Sequence, residues 1–154
     1  MLLKYPNSTV NFSASPAHAL TPFQVYDRDE WEEYLSQYDP NDFNQMKPLF
    51  NEYFFKVKNK IYNVHHKAVV MLSLEKALLT ENYNFAELLE SDDETCFYFP
   101  YNWEIEKPRS FFKDIYYLMF TNWGEEVINA GYKISLQMKY YDVFLLYIGE
   151  VTGA

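Results

Sequence analysis

From Pro48 to Thr80 the chain contains no glycine and, after Pro48 itself, no proline. Apolar residues recur there at steps of mostly three and four: Phe50, Tyr53, Phe54, Val57, Ile61, Val64, Ala68, Met71, Leu72, Leu78 and Leu79. That spacing stacks side chains along one face of an α-helix. Pro48 suits a first helical position, where its missing N–H costs nothing. One helix over 48–80 would be about 50 Å long at ~1.5 Å per residue. That is long for a chain of this size, so a kink near Asn63, or two helices meeting there, is the alternative. Either way the apolar stripe demands a core to pack against.

Three polar features sit on this stretch. Lys56, Lys60 and Lys67, with Asn63 among them, line one flank, expected to pair with carboxylates or meet water rather than phosphate. Glu75 falls inside the apolar arc between Met71 and Leu78, either at its rim or buried with a partner, since an unpaired buried charge is very costly. His65 and His66 point about 100° apart on a helix, so they cannot converge on one metal alone. His65 is placed at the border of the apolar arc and His66 away from it, both as boundary or solvent residues.

The chain has 154 residues, 49% of them hydrophobic and 20% aromatic. It is expected to be a single domain over 1–154, well packed and not disordered. Residues 1–26 carry three prolines and read as an N-terminal arm, with His18 a solvated loop histidine. Asp27 with Glu30 has a capping-box pattern, opening a short helix through Trp31, Tyr34, Leu35 and Tyr38 that Asp39–Asp42 stops. Asn84 with Glu87 reads as another cap, and Asn122 with Glu125 as a third. Between them a helix is predicted over 109–121, and Gly131 is expected to close the short helix begun at Asn122.

The segments 95–106, 132–140 and 143–149 read as strands. Thr95–Phe99 is rich in aromatics, Trp103–Glu106 alternates apolar with acidic, Lys133–Tyr140 has a period of two, and Val143–Ile148 is continuously apolar. The expected fold class is therefore α+β: a mixed or antiparallel sheet packed by the long helix 48–80 and helix 109–121.

The four glycines, Gly124, Gly131, Gly149 and Gly153, cannot form a phosphate-cradling loop or a dinucleotide-binding fingerprint. No nucleophile elbow occurs. Three histidines and one cysteine, Cys96, give no zinc-ligand spacing, so no cofactor or metal is expected. Cys96 reads as a small buried hydrophobe. No basic region precedes an apolar core at the N-terminus, and no apolar run approaches the roughly 18 residues of a membrane span. The expectation is a cytoplasmic protein without a membrane segment.

Charge is the most informative property. The whole chain carries 13 basic and 22 acidic residues, a net of −9. Residues 27–42 hold seven acidic groups and one basic, a net of −6; residues 81–106 hold eight acidic and none basic, a net of −8. Residues 43–80 hold six basic and two acidic, a net of +4. Such a chain is a poor binder of nucleic acid and a good partner for a basic protein surface. The acidic blocks also carry exposed-looking rings, which anchor a contact while carboxylates steer the encounter. The expected partner-binding residues are Trp31, Glu32, Glu33, Tyr34, Asp92, Asp93, Glu94, Tyr101, Trp103 and Glu104. The expected function is a non-enzymatic binding protein of the inhibitor or immunity type, the physical kind to which phage counter-defence proteins belong. A structural subunit of a larger assembly is the second reading. A small enzyme using Glu75 or His65 in a pocket beside helix 48–80 is the third.

Overall fold

The computed structural model describes residues 2–94 and 97–134. This part of the chain is mostly helical and contains no strand; among the described residues, β pairing is confined to two isolated bridges, Lys4 to Asn11 and Asp92 to Phe97. The expected α+β class is thereby corrected. The stretch 97–106 turns at Tyr101 and Asn102, and its polar groups bond to α1 and the loop after it, not to a neighbouring strand. Thr95 and Cys96, the predicted strand 132–140 beyond Ile134, and all of 143–149 lie outside the described residues.

Helix α1 spans Asp29–Leu35, α2 Phe43–Phe50, α3 Lys56–Ile61, α4 Val64–Leu79, α5 Pro108–Met119 and α6 Glu125–Asn129. Short 3-10 turns lie at His18–Phe23 and Ala86–Leu89. A π turn at Asn51–Phe55 joins α2 to α3, and a second at Phe120–Gly124 joins α5 to α6, so each pair forms one continuous rod. The first rod starts at Phe43, where the Asp42 side chain accepts from the Asn44 N–H; Pro48 lies inside it, not at its head.

The rod ends at Ile61. Tyr62 and Asn63 are extended, and Asn63 caps α4 by accepting from the N–H groups of His65 and His66 while the His66 ring accepts from the Asn63 N–H. The expected single helix over 48–80 is thereby corrected to two helices with a break at Tyr62 and Asn63, the alternative that its length had left open. α4 packs against α5 and α6, and the core gathers Phe54, Phe55, Met71, Leu74, Phe112 and Trp123, all essentially inaccessible.

Two features restart the helical phase: the π turn, whose wider ring rotates the residues beyond it, and the break at Tyr62–Asn63. That is why Val57 and Ile61, counted into the buried arc on a single helix, are 46% and 47% exposed. It is also why the two histidines exchange places. His66 is buried and its Nε2 lies 2.6 Å from the Lys4 carbonyl, whereas His65 is exposed with Nδ1 2.6 Å from the Tyr132 hydroxyl.

The N-terminal arm is ordered but packs on the helix break and not on a sheet. It turns back on itself through Asn7, whose φ is 56°, and Phe12 packs edge-on against Tyr62 and His66. His18 is not a solvated loop residue: its Nε2 lies 2.8 Å from the Tyr62 hydroxyl, and burial, with Lys58 a smaller contributor, brings its pKa down to about 4.

Candidate functional site

Residues 98–106 of the second acidic block lie against residues 25–41, beside the first. Their seam is stitched by polar contacts that the fold requires. The Trp103 indole N–H donates to the Leu35 carbonyl at 3.0 Å, and the Asn102 side chain donates to the Ser36 carbonyl at 2.9 Å. Asn41 reaches across in both senses, donating to the Glu104 carbonyl at 2.6 Å and accepting from the Glu106 N–H at 2.9 Å. At the other end the Val25 N–H donates to the Tyr98 carbonyl, and the Tyr26 and Tyr98 rings stack 5.7 Å apart.

At the centre of the seam the Tyr101 N–H donates to the Glu32 carboxylate at 3.1 Å. This fixes the backbone while the ring stays 82% exposed. In the two acidic blocks Glu30, Glu33, Glu94 and Glu104 are exposed, and none makes a side-chain hydrogen bond or ion pair among the described residues. Asp92 accepts from the Glu94 N–H, and Asp93 accepts from the Tyr98 hydroxyl, so these two carboxylates also shape their own loop. A hollow of about 530 Å³ opens beside Trp31, lined by Asp27, Arg28, Asp29 and Glu30. Another of about 550 Å³ is lined in part by Glu87, Glu90 and Asp92.

Of the expected contact rings, Tyr101 alone is broadly exposed. Trp103 is buried at 8% and serves the fold. Trp31 is half-buried, with its N–H donating to the Pro22 carbonyl and its ring stacked on Tyr34 at 5.5 Å. Tyr34 in turn meets Tyr38 and Tyr53, and its hydrogen bond to Tyr38 pushes the Tyr38 hydroxyl pKa up. Trp31 and Tyr34 therefore offer edges to solvent while bracing α1. Helix α1 also starts without the expected capping box: Asp27 takes a φ of 53°, Arg28 stands at the cap position with no side-chain bond to the helix, and its guanidinium lies 5.4 Å from the Trp31 ring centre.

The lysine row does not neutralise this face. Lys67 is buried and bonded to Glu126 at 2.8 Å, and Lys56 pairs with Glu52 at 3.2 Å; both carboxylates lie outside the acidic blocks. Glu75 is buried, not rim-exposed, and accepts from the Tyr116 hydroxyl at 3.0 Å. Burial, followed by the charge of Glu75, raises the Tyr116 pKa well above the usual phenolic range. His65 lines a groove of about 630 Å³ with Tyr5, Val69 and Tyr132. Among the described residues no three His, Cys, Asp or Glu side chains converge as a metal site would require, and no helix is long and apolar enough to cross a membrane.

Asn41, Asn102, Tyr26 and Tyr98 are the residues that sequence reasoning missed. Their role depends on a contact between distant segments, which leaves no periodic signal; two asparagines set in acidic loops were the only clue. Comparison with known proteins finds no matching family model, no matching curated protein and no matching solved structure.

Proposed function

We propose that this chain is a non-enzymatic binding protein that uses the joined acidic face to occupy a basic surface of another protein, in the manner of an inhibitor or immunity protein. The observation that carries the reading is Tyr101. A ring 82% exposed, on backbone locked by Glu32 at the junction of two anionic segments, has no packing role among the described residues. An exposed aromatic anchor on an acidic segment, beside the Glu32 carboxylate, suits capture of lysine and arginine side chains, through area burial and through the negative face of the ring.

The test is affinity capture from the source cell, with Glu94→Lys/Glu104→Lys and Tyr101→Ala as matched baits. Both variants should keep the wild-type circular dichroism spectrum, because the altered side chains are exposed. Expected is loss of the captured basic protein with either bait, and its release from wild type at high salt. Capture that is indifferent to both substitutions contradicts the reading.

A further inference from the structure

Helix α3 contains no buried residue. At about 100° per residue, Lys56, Lys60, Val57 and Ile61 follow one another around a continuous arc of about 140°. Val57 and Ile61 are i, i+4 neighbours, each close to half exposed, so they form a small apolar ridge and not scattered single contacts. Lysines flank that ridge, and only Lys56 has an ion-pair partner among the described residues, the equally exposed Glu52. The molecule thus presents a basic apolar ridge and, elsewhere, an acidic face that carries the exposed Tyr101 ring.

We infer that the occupant of the α3 ridge is the acidic face of a second copy of this chain, giving a head-to-tail contact. The inference rests on the same acidic face as the proposed function. It adds that, without another basic partner, the chain supplies one itself. The two surfaces differ, so the contact is heterologous and extends into rings or open strings.

Charge sets a particular salt signature. The net charge of −9 repels whole molecules when the Debye length is long, about 30 Å at about 0.01 M salt. At about 0.1 M it shrinks to about 10 Å, so neighbouring faces dominate; at about 1 M it is about 3 Å and the charged contact is screened. Association therefore peaks at intermediate salt, whereas purely apolar clustering strengthens steadily as salt rises.

Sedimentation velocity across these salt concentrations tests the inference. Wild type should exceed its monomer mass of 18.5 kDa near about 0.1 M salt and return to it at both extremes. Lys60→Glu/Ile61→Ser, which breaks the ridge and reverses charge at its flank, and Glu30→Lys/Glu33→Lys, which reverses part of the face, should each remain monomeric. Their equimolar mixture should give a 1:1 dimer, because one ridge and one face remain intact. Wild type that stays at monomer mass throughout overturns the inference, as does association retained by either variant alone. A titration with an amphipathic Lys–Leu peptide separates the two readings: monomeric wild type that binds the peptide loses only self-association, and monomeric wild type that ignores it loses the acidic-face reading as well.

Discussion

His18 sits among rings, with Phe12 and Phe54 edge-on and the Tyr62 hydroxyl at 2.8 Å. Its folded pKa of about 4 lies below the unfolded value of 6.5. Between those values the unfolded chain binds a proton that the folded chain refuses, so stability is fully present above pH 6.5 and falls as pH drops toward 4. His18→Gln removes this contribution, so the stability advantage of wild type over the variant should shrink from about pH 7 to about pH 4 in urea titrations. A gap that stays constant with pH contradicts the assignment. At Glu75, Tyr116→Phe removes a donor to a buried carboxylate and should cost about 1.5–3 kcal/mol, read in the same titrations. A cost near zero means the carboxylate is satisfied without that hydroxyl. Residue identity alone marked Glu75 as anomalous, because a carboxylate in an apolar arc has few ways to exist. It could not mark His18, whose burial is imposed by an arm folding back on a helix break.

The break between α3 and α4 was legible only as the alternative to one helix over 48–80, from the excessive length of the stripe; the structure gives Asn63 the cap role. Asn63→Ala should lower stability by about 1 kcal/mol and Asn63→Gly by only a few tenths, because glycine tolerates the cap conformation. Equal losses would show that the side-chain bonds contribute little. Gly131 likewise closes α6 as expected, at a φ of 98°, with the Tyr132 N–H donating to Val127 and the Gly131 N–H to Ile128. The π turns were not legible, because one extra residue in a turn looks the same as regular helix in a list of apolar positions. The first of them shifts the phase that leaves Val57 and Ile61 exposed. The second one also makes Gly124 necessary: an added Cβ would lie 3.0 Å from the fully buried Phe120 ring. Gly124→Ala should therefore destabilise by about 1 kcal/mol despite alanine's better helix propensity, since overpacking typically costs about 1–3 kcal/mol. A gain in thermal midpoint would mean that Phe120 can yield.

At the scale of the molecule, the charge blocks could be read from sequence but their union could not. The stretch 97–106 reads as a strand in sequence because Trp103 and Ile105 alternate with Glu104 and Glu106. Instead it is an acidic strap, bound to α1 and the loop after it through Trp103, Asn102 and Asn41. That strap brings Tyr101 and Glu104 against the first acidic segment, and the proposed function treats the two segments as one face. If the face acts as a unit, reversing charge in either block must impair the same binding event, although the altered residues are far apart in sequence. The most direct measurement is quantitative capture from the source cell, at a physiological ionic strength of about 0.15 M, with three baits: wild type, Glu30→Lys/Glu33→Lys and Glu94→Lys/Glu104→Lys. One basic protein should be enriched by wild type and lost with either reversal. Enrichment unchanged by one reversal, or identical across all three baits, would contradict a single joined face.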